Sequence, residues 1–393
     1  VYDPFSPRCT NCGEALEFVL ATTEISSVLP KGKSRMPNFG TDEGMWRYQA
    51  LLPKTDRKLV KRRVFMGEGG TPCLRARRIE RDLGCREVWL KDETCNPTGS
   101  FKDRGTALGV AVLARLGFSA LGTVSTGNMA KSVAAYAARA GMEATIWVGA
   151  STPIEKLAPV AVHGALLLRI DAPYGEIYNA SIEWSRRTNV PFINSDSALR
   201  VEGQKTIAYE IVEQLGGCAP DWLIVPTSSG GNFSAIAKGL QEASDNGWLG
   251  GHCRLVAVQA AECAPIARGW KEGSNKPTKV QPSTTIAGAI SNPAPPSGAR
   301  VLRWLRQTNG CAIAVPDRDI EAAQFRFASK SGRFVQPASA ACLAALERLR
   351  NDNVVKREDS VVLLLTGSGS NAPPVAIEVA EPRSLTEVMA ELD

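Results

Sequence analysis

The 393-residue sequence predicts an α/β protein, with a doubly wound parallel sheet in a large domain plus a smaller α/β domain. Three observations predict it. From Arg104 onward, apolar runs of strand length alternate with helix-patterned segments punctuated by Gly or Pro, the alternation that builds parallel sheets with helices on both faces. The junctions where such a run ends and a helix begins hold Gly, Ser, Thr and Asn, and open α/β sheets place ligands at those junctions. The composition, 44% hydrophobic and 22% charged, is that of an ordinary globular chain long enough to bury a large core.

Residues 1–60 are polar, Pro-rich and without sustained period, and are expected to form an arm over the main body or toward a partner subunit. Cys9-x-x-Cys12-Gly13 within them has the spacing of half a zinc ribbon. A structural zinc takes four ligands, no second CxxC follows, and His163 and His252 are the only histidines, so no metal is expected. Gly67-Glu68-Gly69-Gly70-Thr71-Pro72 is a turn at the opening of the large domain, which takes residues 61–105 and 201–393; residues 106–200 form the small one.

Val88-Trp89-Leu90-Lys91 is strand-like, Pro97, Thr98 and Gly99 make a tight turn after it, and Ser100 is placed to cap the next helix. That helix reads as residues 104–116, ending near Gly117. Residues 120–124 are a buried strand and 129–140 an alanine-rich helix with Gly141 at its C-terminal cap. Strands at 144–148 and 165–170 flank a helix at 154–162. A helix is expected over 202–215, closed by Gly216-Gly217; a solvated face stays open for its charges, and no catalytic part is assigned to them. A strand at 221–226 feeds a helix at 233–243, and 360–365 is a continuous buried strand.

The chemistry concentrates in the loops. Asn96-Pro97-Thr98-Gly99-Ser100-Phe101-Lys102-Asp103-Arg104-Gly105 carries one lysine at a loop-to-helix junction. A lysine traps carbonyls when it is partly desolvated and fixed in direction, so Lys102 is read as an amine held ready to form a Schiff base. A phosphate-binding P-loop needs Gly before the lysine and Ser or Thr after it, and here Phe101 and Asp103 stand there. A solvated lysine beside an Asp–Arg pair stays open from this stretch alone. Ser125-Thr126-Gly127-Asn128 offers helix-start amides to a carboxylate, or is a plain turn with Asn as cap. Thr227-Ser228-Ser229-Gly230-Gly231-Asn232 supplies N–H groups and hydroxyls for a dianion. Thr366-Gly367-Ser368-Gly369-Ser370-Asn371 contains a GxG, but the third Gly and the acidic residue of a dinucleotide fingerprint are missing.

Together, Asn96 to Gly105, Ser125 to Asn128, Glu202-Gly203-Gln204-Lys205-Thr206 and the loop from Thr227 to Asn232 resemble the fold-type II pyridoxal phosphate-dependent enzymes, whose fold is tryptophan synthase β-like. Order and spacing match from Gly67 to Pro373, and the threonine synthases are the nearest in pattern. The resemblance implies pyridoxal 5'-phosphate as cofactor, with Lys102 as the catalytic amine that carries it and serves as base. It implies Asn128 at the phenolate oxygen and Ser228, Ser229, Gly230, Gly231 and Asn232 around the phosphate. Thr366, with Ser368 as second candidate, falls at the pyridine nitrogen, where a neutral partner limits the ring as an electron sink. Ser100, Ser125, Thr126 and Gly127 fall to the substrate. The implied reaction turns O-phosphohomoserine and water into threonine and phosphate. β-Elimination or β-replacement on a β-substituted amino acid uses the same residues. A non-catalytic homologue is opposed by the joint retention of Lys102, Asn128 and the phosphate loop.

Three places depart from the threonine synthase pattern. Met129-Ala130-Lys131 stands where smaller polar residues are expected, and Ala289-Ile290-Ser291-Asn292-Pro293 is shortened and lacks an Arg. Ser368 and Ser370-Asn371 replace a His and a Leu-Lys pair. The cofactor half of the pattern is intact while the substrate half is altered.

A net charge of +6, dispersed along the chain, does not suit nucleic acid, though a mildly basic cleft suits an anionic cofactor and a phosphorylated amino-acid substrate. Ten scattered cysteines without a framework suit reduced thiols, and no apolar run is long enough for a membrane span. With no signal-peptide pattern, the cytoplasm is the expected location, although the chain opens on Val1 and not on Met. The resemblance adds a homodimer.

Overall fold

The computed structural model describes residues 2–9, 11, 13–19, 40, 43–281 and 283–372. Cys12 of the Cys-x-x-Cys pair, residues 20–39 of the expected arm and the chain from Pro373 on lie outside the described residues. The described strands are β1 (Cys73–Arg75), β2 (Glu87–Asp92), β3 (Ala120–Val124), β4 (Glu143–Gly149), β5 (Leu166–Ile170), β6 (Trp222–Pro226), β7 (Arg254–Ala260), β8 (Cys311–Val315) and β9 (Ser360–Leu365). They form a six-stranded sheet of order β1-β2-β9-β6-β7-β8 and a three-stranded sheet of order β3-β4-β5. Pairing is parallel throughout except at β1, which runs antiparallel along β2 at one edge.

β9 is the strand that organises the larger sheet. Its sequence, Ser-Val-Val-Leu-Leu-Leu, is buried at every position, as a parallel strand covered on both faces must be. On one side Asp92 of β2 pairs with Leu365, and on the other Ile224 of β6 pairs with Leu363. Parallel register therefore brings the loops after β2, β9 and β6 out at the same end of the sheet, although they lie far apart in sequence. β3 and β4 are likewise in parallel register, Val124 against Trp147, which sends the Ser125 loop off the corresponding end of the smaller sheet.

The main apolar clusters sit between the layers. One face of the larger sheet packs on the Asp317–Ser331 and Pro337–Asn351 helices. Its other face packs on the Thr206–Gln214 and Gly231–Asp245 helices. The smaller sheet packs on the Lys102–Arg115 and Asn128–Ala140 helices.

The described part of residues 1–60 lies on the main body, and some of it enters the core. Met45, Trp46, Leu52 and Val60 are buried in the core of the smaller sheet, and Tyr48 and Leu51 in that of the larger. Burial of both faces of a short segment leaves no single apolar stripe, so its sequence shows no clean period. Farther upstream, Arg8 pairs with Asp196 at 2.9 Å and Glu17 with Arg300 at 2.7 Å, so the described part of the opening segment packs on its own body.

Two helices also differ from expectation. The 104–116 helix begins earlier, at Lys102. The expected 202–215 helix divides into Ala198–Gln204 and Thr206–Gln214, and its charges are not solvated. Glu202 and Lys205 are fully buried and pair at 2.8 Å, with Glu242 closing on Lys205 at 3.0 Å. A sequence window marks residues as charged without showing that their partners come from another helix.

Candidate active site

The loop between β2 and the Lys102–Arg115 helix is stitched to the end of β9. Phe101 N donates to Thr366 O at 3.1 Å, and Ser368 N to Gly99 O at 2.8 Å. Gly99 takes φ +80, and a Cβ there would lie 2.9 Å from Asn371 Nδ2, so the turn needs glycine for both its conformation and its space. Behind the loop, Asp103 and Arg104 face separate partners. The Asp103 carboxylate accepts from Thr98 N at 2.7 Å, Thr98 Oγ1 at 2.6 Å and Ser132 Oγ at 2.6 Å.

Arg104 is fully buried between Glu93 at 2.6 Å and Glu210 at 2.7 Å, and Lys91 reaches the same Glu210 at 2.7 Å. Gly70 N donates to Glu210 at 2.7 Å and Gly69 N to Asn96 Oδ1 at 3.0 Å, which makes the glycine turn at Gly67–Pro72 a wall of this network. Burial alone raises the Glu210 carboxyl, but Arg104 and Lys91 more than reverse this and hold it far below the usual carboxylate range.

Lys102 is thereby aimed by the residues on either side of it. It is half-buried, its Nζ lies 4.5 Å from the Phe101 ring centroid, and it has no carboxylate partner among the described residues. Burial, and secondarily the Arg200 guanidinium, push its pKa down to about 7, so a large share of the amine is neutral and nucleophilic near neutral pH.

Ser100 does not cap the helix as expected. Phe101 occupies the cap position without a side-chain bond, and the buried Ser100 Oγ has no partner. The earlier helix start moves Ser100 out of capping position and leaves its hydroxyl available to a ligand.

The Thr227–Asn232 loop joins β6 to the Gly231–Asp245 helix with Gly230 at φ +88, and a Cβ there would lie 2.8 Å from Val301 Cγ2. This helix start carries no side-chain cap and no acidic residue in its first turn. Its free N–H groups and dipole are unspent. Both polar atoms of the buried Asn232 side chain also lack partners among the described residues. Ser228 lies between Thr227 and Ser229, and Asn292 Nδ2 holds Ser229 Oγ at 2.9 Å. Unpaired buried donors around a bare helix start are what a bound phosphate would satisfy.

Asn128 is the first residue of its helix and not the cap, a place taken by Gly127, and its Nδ2 donates to Gln336 Oε1 at 3.0 Å. Ser125, half-buried, and Thr126 and Gly127, exposed, precede it on the open side. Thr366 Oγ1 is buried and shares a hydrogen bond of 2.8 Å with Ser339 Oγ, which also accepts from Gly367 N at 2.9 Å. Sequence reasoning missed Gln336 and Ser339, whose signal was Pro337 opening a strongly apolar helix.

It also missed Arg200. This buried guanidinium donates to Thr106 Oγ1 at 3.0 Å and to Lys102 O at 3.4 Å, makes no ion pair among the described residues, and has its pKa pushed down to about 10 by burial. The structure thus gathers Lys102, Asn128, Thr366 and the Thr227 loop at the sheet end, with unpaired donors where an anionic aromatic aldehyde would need them.

Comparison with known proteins shows the family. Residues 64–367 match the family described as "Pyridoxal-phosphate dependent enzyme". The threonine synthase of Methanocaldococcus jannaschii is 34% identical over 371 residues, covering 94% of this chain and 90% of that protein. The threonine synthase of Mycobacterium bovis is 37% identical over 321 residues, covering 80% of this chain and 85% of that one. Among solved structures, a fungal L-serine ammonia-lyase from Rhizomucor miehei superposes with TM-score 0.66 at 25% identity, covering 76% of this chain and 93% of its own. Maize serine racemase gives TM-score 0.67 at 21% identity over 82% of this chain and 91% of its own, a likeness of fold. The chain belongs to the pyridoxal-phosphate dependent enzymes, with fold type II architecture, and is a threonine synthase-like lyase that depends on pyridoxal phosphate.

Proposed function

We propose that the enzyme converts O-phosphohomoserine and water into threonine and inorganic phosphate. The observation that carries this reading is the juxtaposition of a near-neutral Lys102 amine with Arg200, a buried cation that makes no ion pair among the described residues and feels the Asp103 carboxylate only at longer range. One moves protons and the other can receive a departing anion. Relatives called threonine synthase match nearly the whole chain and support the same reading.

When bound, pyridoxal 5'-phosphate supplies an electron sink for charge developing at the substrate α-carbon. Lys102 would hold its aldehyde carbon, Asn128 its ring oxygen, Thr366 its ring nitrogen, and Ser228, Ser229, Gly230, Gly231 and Asn232 its phosphate. The Ser125–Gly127 turn and the Ser100 hydroxyl bind the substrate carboxylate. Lys102 Nζ then takes the α-proton and passes protons along the carbon chain as phosphate leaves the γ-carbon and water adds at the β-carbon. The expected small domain, residues 106–200, closes over the cleft against 61–105 and 201–393 and excludes bulk water. A cytoplasmic homodimer is the setting that goes with this reading.

The altered substrate half, Ser368 and Asn371 in particular, favours a second reading in which a β-phosphorylated amino acid undergoes elimination. Phosphate release and amino-acid analysis on the cofactor-loaded enzyme separate the two, with O-phosphohomoserine, O-phosphoserine and O-phosphothreonine as substrates. Threonine from O-phosphohomoserine is expected. A 2-oxo acid and ammonia from the β-phosphorylated substrates alone would overturn it.

A further inference from the structure

Two of the departures noted in the sequence meet in space. Lys131 Nζ donates to Asn371 Oδ1 at 2.9 Å, joining the Asn128–Ala140 helix beside the smaller sheet to the loop after β9 of the larger one. The other end of the Asn371 amide is committed, since Nδ2 donates to Thr98 O at 3.0 Å and Gly99 O at 3.2 Å. The amide is thus anchored on the turn that leads into Lys102, and its oxygen can face only outward to the ammonium. Lys131 lies one helical turn from Asn128, on the same face.

The ammonium has three donors and Asn371 takes one. Lys131 is half-buried and makes no ion pair among the described residues, the Asp103 carboxylate acting on it only at longer range while its own oxygens are taken up by Thr98 and Ser132. A half-buried ammonium with donors to spare binds an anion strongly, because its own solvation is already reduced.

We propose that Lys131 is a specificity-determining residue that receives the phosphate of the substrate, held in position by Asn371. This rests on the reading of the substrate as a phosphorylated amino acid.

The test uses the cofactor-loaded enzyme with Lys131→Ala and the charge-relocated double variant Lys131→Ala/Asn371→Lys. The readouts are kinetics with O-phosphohomoserine and calorimetric binding of its non-hydrolysable phosphonate analogue, with homoserine as the phosphate-free control. In Lys131→Ala, KM and the phosphonate Kd are expected to rise about tenfold or more, the size of a lost charge-assisted hydrogen bond, while homoserine binding stays unchanged. The double variant recovers most of that loss. Unchanged phosphonate binding in Lys131→Ala, or an equal loss for homoserine, would overturn the proposal. Lys131-dependent phosphonate binding in a wild-type enzyme that makes no threonine would sink the proposed reaction and leave this residue's role standing.

Discussion

Lys102 and Arg104 are separated by one residue in the same helical turn, both out of bulk water, yet their surroundings are opposite. Arg104 is clasped by Glu93 and Glu210 and also donates to Thr71 and Thr206, while Lys91 shares Glu210 with it. Lys102 has the Phe101 ring, and its nearest charged neighbour of consequence is another cation, Arg200. Pairing satisfies Arg104 and leaves it nothing to do but hold the loop. The lack of pairing leaves Lys102 and Arg200 in need of a ligand. Inside one turn of helix, the paired cation holds the loop and the unpaired one is the amine proposed to do the chemistry.

The largest effect that can break this contrast is at Lys102. Lys102→Ala is expected to lower turnover by about a thousandfold or more, while circular dichroism stays native. A variant that keeps its activity would remove the chemical side of the comparison.

The paired side is probed by Glu210→Gln, which strands Arg104 and Lys91 without a full counter-charge. Urea unfolding should show a loss of about 3–5 kcal/mol, the usual consequence of removing one member of a buried ion network. A loss no larger than that of a surface substitution would mean the network holds little.

Arg200→Gln sharpens the contrast through pH. The neutral amine is the form that captures an aldehyde, so cofactor uptake by the wild-type apoprotein should rise as pH passes about 7. Burial contributes most of that depression and Arg200 the remainder, so removing the guanidinium should move the uptake midpoint upward only in part. The same shift has a stability sign. Between about 7 and the ordinary lysine value near 10.5 the unfolded chain binds a proton that the folded one does not, so the apoprotein should gain stability as pH rises through that window. Lys102→Met should remove this slope.

The smallest effect is at Ser100. Its buried hydroxyl has no partner to lose, so Ser100→Ala should change unfolding free energy by no more than about 0.5 kcal/mol. A higher KM with unchanged stability would mark it as a ligand contact, whereas marked destabilisation would give it a structural role.

Much of this site was legible from the chain alone because its parts are local. Lys102, Asn128 and the Thr227–Asn232 loop each sit at a strand-to-helix junction, and such junctions announce themselves through Gly, Ser and Asn at positions that need turns and free amides. The strand Ala120–Val124 and the αL cap at Gly141 followed from short-range pattern in the same way. Arg200, Gln336 and Ser339 were not legible, because each acts through a partner distant in sequence. Gln336 meets Asn128 across 208 residues, and Arg200 meets Thr106 across 94. The burial of Glu202 and Lys205 escaped for the same reason, since charge shows in a window and its neutralising partner does not.

The sequence by itself determined the α/β alternation, since turn chemistry and apolar periodicity act over a few residues, and through its resemblance to a known family it gave the cofactor class and the lysine proposed to carry it. Tertiary structure alone decided which charges are paired. That depends on β9 seating itself between β2 and β6, a pairing whose two sides come from opposite ends of the chain and which no local preference encodes. Only that arrangement sets Arg104 against two carboxylates, leaves Lys102 and Arg200 facing each other without one, and brings Asn371 under Lys131.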